Sequence, residues 1–194
     1  MVSLAIVFYI FVFMFAVIGA VRGWAKELLV SFSVVLSLAL TEMLEQYIPF
    51  IRDSYVGPAL NPNVTTPTDA GTSLFWMRFV ILLVVVFFGY QTVNLSKLLS
   101  GKAARERLQD FLLGFILGGV NGYLVVGSLW FYLFEAHYPF PFILDPTTVN
   151  LPATQTFAAS AEKLLVYMPP HLLGIPGIYF AVIIAFVFVI VVYV

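Results

Sequence analysis

Residues 2–40 read VSLAIVFYIFVFMFAVIGAV, then RGWAKE, then LLVSFSVVLSLAL, and this stretch decides the fold. Residues 2–21 contain no charge. An uncharged apolar run of about 18 or more residues matches the hydrocarbon thickness of a bilayer, so it reads as a membrane-spanning helix. A signal peptide would carry a basic leader and a shorter apolar segment. Residues 1–20 have neither, and the run is expected to be a retained span. It stops at Arg22, where Gly23, Trp24 and Lys26 mark a membrane–water interface. A second span is expected over residues 27–44. With so short a connection, the two helices are expected to form a tight antiparallel hairpin.

The rest of the chain extends this pattern. Of 194 residues, 62% are hydrophobic and 10% charged, against roughly 45–50% and about 25% in soluble domains. Residues 46–73, with Pro49, Pro58, Pro62 and Pro67, read as an irregular extramembrane loop. Within it Asn63-Val64-Thr65 fits a glycosylation sequon, relevant only in a eukaryotic secretory setting. A third span is expected over 74–95 and a glycine-rich fourth over 111–134, joined by a charged connection. Trp130 and Tyr132 are expected to anchor the far end of the fourth at the interface. After a second proline-rich loop, Phe157, Ala161, Leu164, Leu165 and Met168 recur at helical spacing, which predicts an amphipathic helix over 154–168 lying on the membrane surface. Residues 177–194 are wholly apolar and predict a fifth span. The sequence stops inside that run, so a missing terminal tail is an expectation. The expected fold is therefore all-α: an integral membrane bundle of four core spans in two hairpins over 1–170, with the interfacial helix, plus an additional span over 171–194.

Basic residues in short loops set orientation. Arg22, Lys26, Lys97, Lys102, Arg105 and Arg107 follow the first and third spans, with three acidic residues beside them; Arg52, Arg78 and Lys163 lie opposite, with seven. The expected topology puts the N-terminus outside and both tight turns in the cytoplasm.

Composition also narrows the chemistry. A net charge of −1 with thinly spread basic residues argues against nucleic acid as a partner. The absence of cysteine removes disulfides, thiolate nucleophiles and thiolate metal sites. No ionisable residue falls at mid-depth in a span, where ion or proton pathways usually keep one. Glu42, Glu45 and Glu135 close their spans and read as acidic residues at a wet interface. His137 and His171 read as ordinary loop histidines, because no second ligand stands at recognisable spacing. No catalytic, cofactor-binding or metal-binding residues are assigned, and no cofactor is expected.

What remains are packing signals. Ser33, Ser37 and Thr41 recur every fourth residue in the second span, as do Gly114, Gly118 and Gly122 in the fourth. Small residues at this spacing let helix backbones approach closely in lipid; the alternative is a water-lined groove along the same stripe. Asn121, beside the glycines, must find a hydrogen-bond partner on a neighbouring helix.

Two segments resemble a known family. IGAVRGWAKELLV, residues 18–30, resembles the Arg-Gly-aromatic-x-(Lys/Arg)-Glu signature of the colicin V production protein family. RLQDFLLGFILGGVNGYLVV, residues 107–126, resembles its second signature, a charged connection leading into a helix with small residues every four positions. The characteristic positions are Arg22, Gly23, Lys26, Glu27, Gly114, Gly118 and Gly122. Asn121 stands where the family pattern has arginine, the loop over 46–73 is long, and the fifth span is an addition. The resemblance implies a non-enzymatic bacterial inner-membrane protein, a helper in export of a peptide toxin or in envelope homeostasis. Membrane lipids and protein partners, or further copies of the chain, are its expected contacts. Two other readings stand beside it: an accessory structural subunit of a larger respiratory or photosynthetic complex, and a small transporter or channel using the serine and glycine stripes.

Overall fold

A computed structural model describes residues 4–91, 104–140 and 163–193. Among them every regular element is helical: α1 (Leu4–Arg22), α2 (Trp24–Tyr47), α3 (Pro49–Ile51), a π-helical turn (Arg52–Val56), α4 (Gly57–Ala59), α5 (Asp69–Tyr90), α6 (Ala104–Glu135), α7 (Pro169–Leu172) and α8 (Gly177–Tyr193). Helices α1, α2, α5 and α6 are long and apolar enough to cross a membrane. The protein is a multi-pass helical membrane bundle. In hydrocarbon each backbone amide must be satisfied within its own segment, which is why the spans are helices. The 17-residue α8 is apolar throughout but shorter than the other four, at the lower end of the roughly 17–25 residues that spanning takes.

Several boundaries differ from the sequence expectation. α5 begins at Asp69 rather than near residue 74, because Thr68 caps it: its Oγ1 accepts from Gly71 N at 3.0 Å. α6 begins at Ala104, so much of the expected charged connection is its first turns. At 32 residues and 1.5 Å per residue it is about 48 Å long, well beyond a hydrocarbon core of about 30 Å. The first half of the loop over 46–73 is not irregular but a run of short helical turns, α3 to α4. The predicted surface helix over 154–168 lies mostly outside the described residues. Of it, Leu165 and Met168 are buried in a cluster with Phe8, Trp130 and Tyr138.

The chain reverses direction at Gly23, yet the closest packing does not follow chain order. α1 packs mainly on α6, whereas α2 sits centrally against α5, α6 and α8 and touches α1 little. α1 runs antiparallel to α6: Gly19 lies against Gly114 and Gly118, Val12 against Gly122, and Phe8 against Trp130. α2 runs parallel to α6 and antiparallel to α5, with Glu27 level with Asn121, Glu45 level with Arg78, and Ser33 level with Gly89. Between these levels lies an apolar core of Val30, Val34, Leu38, Leu82 and Val86. Trp130 and Tyr132, expected at the interface, are buried inside the bundle. Trp130 packs on Phe8, and Tyr132 lies beneath the Arg78 guanidinium, 5.0 Å from ring centroid to Cζ. A nearby cation and neighbouring rings satisfy these aromatics better than a lipid interface would.

Candidate functional site

Polar side chains gather at two levels of the bundle, separated along α2 by the 18 residues from Glu27 to Glu45, or about 27 Å at 1.5 Å per residue. This is close to a hydrocarbon thickness, so each cluster sits at one boundary of the apolar slab.

The first cluster begins at the α1–α2 break. Gly23 has φ 86, a conformation glycine adopts without steric cost. A Cβ there would also lie 2.8 Å from Asp110 Oδ1. α2 has no capping side chain of its own; Asp110 of α6 supplies the cap, accepting from Trp24 N at 3.1 Å. A carboxylate at a helix N-terminus also meets the positive end of the helix dipole. One turn on, Glu27 is fully buried. Arg22 Nη1 donates to its Oε1 at 2.7 Å, and Asn121 Nδ2 donates to its Oε2 at 2.9 Å and to its backbone oxygen at 2.9 Å. Ser31 Oγ donates to Asn121 Oδ1 at 2.6 Å. Arg22 also donates to Tyr90 O at 3.2 Å and lies over the Tyr90 ring, 4.3 Å from its centroid. α1 and α6 thus meet α2 at one carboxylate, and α5 joins the cluster through Arg22. The glycines make this meeting possible. A Cβ on Gly118 would stand 2.9 Å from Gly19 Cα, and one on Gly122 would stand 2.7 Å from Phe15 Cβ. Gly114 likewise faces the backbone of Gly19.

Among the sequence-singled residues, the structure brings Arg22, Gly23, Glu27, Gly114, Gly118, Asn121 and Gly122 together here. Lys26 lies in the first turn of α2, half-buried, and makes no ion pair among the described residues. The serine and glycine stripes face different partners: the glycines are covered by α1, and Ser33 lies against Gly89 of α5. They do not line a common groove.

The second cluster centres on Arg78, which is buried. Its Nε and Nη2 donate to the two oxygens of Glu45 at 2.6 and 2.7 Å, and its Nη1 donates to Glu135 Oε2. Glu45 and Glu135 are therefore partners in a buried ion network rather than acidic residues at a wet interface. Beside it a cavity of about 490 Å³ is lined by Thr41, Glu42, Tyr132 and His171 among others. His171 packs on the Phe131 ring, 6.3 Å between centroids. Among the described residues no three His, Asp or Glu side chains are grouped as a metal site would require.

Sequence reasoning missed the Arg78 network because its members lie 33 and 57 residues apart, and the pairing of Asn121 with Glu27 because these lie 94 residues apart. The available signal was Arg78 itself: an arginine within reach of an apolar run needs counter-charges, and Glu45 and Glu135 end helices at its level.

No protein-family model matches the chain, and no curated protein sequence or solved structure is similar to it.

Proposed function

We propose that this chain is a non-enzymatic inner-membrane scaffold of the colicin V production type, acting as a helper in export or envelope homeostasis, with its N-terminus outside. The observation that carries the reading is that the two segments bearing the resemblance dock on each other. Residues 18–30 and 107–126 meet through Gly19 on Gly114 and Gly118, through Asp110 on Trp24 N, and through Asn121 on Glu27. That the two segments pack together supports reading them as parts of one folded unit. Asn121 stands beside the carboxylate that an arginine at that position would pair with, and its amide keeps the contact without the added charge. The basic residues gathered at the Gly23 end would hold that face against anionic lipids or a partner.

The reading is tested by expressing the full chain in a bacterium that lacks its own colicin V production protein and measuring toxin export and envelope integrity. Restored export by the wild-type chain, lost in Glu27→Leu/Asn121→Leu, is expected. A chain that reaches the membrane at normal level and restores neither property overturns the proposal. So does comigration in mild detergent with haem-containing or pigmented subunits, which would make it an accessory subunit instead.

A further inference from the structure

α5 packs on α2 and touches α6 little. The gap between α5 and α6 is closed at one end, where Arg78 of α5 reaches Glu135 and lies over the Tyr132 ring of α6. Towards the Gly23 end it widens into a groove of about 650 Å³ between α5 and the α1–α6 pair. Phe15 and Val125 form one wall, Phe79, Leu83 and Phe87 the other, and the buried Val86 lies at the floor. Leu83 and Phe87 are each 56% exposed, so the groove opens to hydrocarbon. Among the described residues that line it, Tyr90 alone carries a polar side-chain atom. Its occupant is therefore an apolar chain, and left empty the lining would forfeit its dispersion contacts.

The length of the groove selects a lipid over a partner helix. Phe79 and Tyr90 are 11 residues apart along α5, about 16 Å at 1.5 Å per residue and half of a hydrocarbon core of about 30 Å. That is the depth of one leaflet, whereas a partner's spanning helix crosses both. Tyr90, an aromatic at head-group level, marks the mouth. Arg22 stands over it, its guanidinium 4.3 Å from the ring centroid. The Arg22 side chain is 19% exposed, and among the described residues it donates to Glu27 and to Tyr90 O, with further N–H groups left to donate. Glu27 balances the Arg22 charge, so Lys26 supplies the surplus: it makes no ion pair among the described residues. It lies one turn before Val30 on the α2 face that meets Gly89 of α5. In the sequence this end carries six basic and three acidic residues, a balance that draws anionic lipid. We propose that the groove holds one acyl chain of an anionic phospholipid whose phosphate rests at Arg22 and Lys26. The inference rests on the basic face of the functional reading and gives that face a specific lipid and a seat for it.

The test is native mass spectrometry of the full chain in mild detergent, equilibrated with equal amounts of phosphatidylglycerol and phosphatidylcholine bearing the same acyl chains. Retention of phosphatidylglycerol in preference to phosphatidylcholine is expected. Lys26→Gln, which breaks no ion pair among the described residues, should lower that preference about fivefold, the effect of one cation near an anionic lipid surface. Val125→Phe fills the groove from the α6 wall and should lose the retained lipid while stability to SDS is kept. Should it not fold, Leu129→Phe, one turn along the same wall, takes its place. Equal retention of the two lipids, no retention, a preference unchanged in Lys26→Gln, or phosphatidylglycerol still held by a folded groove-filling variant overturns the proposal. So does a dimer that the groove-filling variant converts to a monomer, since the groove then seats a second copy of the chain. Retention is read on the purified chain: a chain that binds the lipid but restores no export fails only the functional reading, and the converse fails only this one.

Discussion

Replacing Asn121 by leucine isolates the contact on which the Gly23-end cluster depends. The substitution removes two hydrogen bonds of 2.9 Å, one to the Glu27 carboxylate and one to its backbone oxygen, and takes away the acceptor of Ser31. Glu27 is fully buried, so its Oε2 would be stranded beside apolar side chains while Oε1 kept Arg22. A hydrogen bond to a charged group contributes about 1.5–3 kcal/mol, and a neutral interhelical one in a membrane averages about 0.6 kcal/mol. Leucine regains little, because lipid offers no hydrophobic drive to bury it. The expected loss for Asn121→Leu is about 2–4 kcal/mol. Glu27→Leu alone strands Arg22, which can reach the interface because its side chain is 19% exposed. In Glu27→Leu/Asn121→Leu the stranded carboxylate is gone, so the double variant should be more stable than the two single losses added together, by about 1.5–3 kcal/mol. The assay is reversible SDS titration in mixed micelles, followed by tryptophan fluorescence and circular dichroism. A coupling energy below about 0.5 kcal/mol, the level at which independent sites add, would refute the reasoning.

Other perturbations probe the rest of the bundle by the same assay. Gly118→Val would put side-chain atoms into the Gly19 backbone, where even a Cβ stands 2.9 Å from Cα, and should cost about 2 kcal/mol or more by overpacking. Gly119→Ala is the contrast: its Cβ would meet Ala16 Cβ at an ordinary 3.6 Å, so stability should hold or rise by up to about 1 kcal/mol through helix propensity. Arg78→Leu leaves Glu45 and Glu135 facing each other without a cation and should cost about 3–5 kcal/mol. Arg78→Lys keeps the charge but not the two-pronged grip on Glu45, and should fall between.

The sequence carries local features of this fold plainly and long-range ones poorly, for physical reasons. The helix break is legible because an Arg-Gly-Trp step between two apolar runs has few conformations, and Gly23 takes the one that other residues avoid. The glycine stripe at 114, 118 and 122 signals a close helix crossing, but its partner is not written beside it. Gly19, the small residue opposite, looks like any glycine in an apolar helix until α1 is laid against α6. Chain adjacency suggested two hairpins as packing units; tertiary packing instead put α2 in the centre, because its buried glutamates need cations from α1 and α5. Glu45, Glu135 and Arg78 looked like surface charges because each stands near the end of an apolar run. Helix ends in a bundle can face inward, and there a charge survives only by pairing.

The α1–α6 register underlies the meeting of residues 18–30 with residues 107–126, and it is most directly measured by disulfide formation in native membranes. The chain has no cysteine of its own, so an introduced pair reports without background. Ala16→Cys with Gly119→Cys places the two Cβ atoms about 3.6 Å apart, within the disulfide range of about 3.5–4.5 Å. Mild oxidation should cross-link that pair in good yield within the monomer, while Val21→Cys with Gly119→Cys, whose first position is 80% exposed, should not react. Failure of the first pair to cross-link, or equal yield from both, would contradict the packing of α1 on α6.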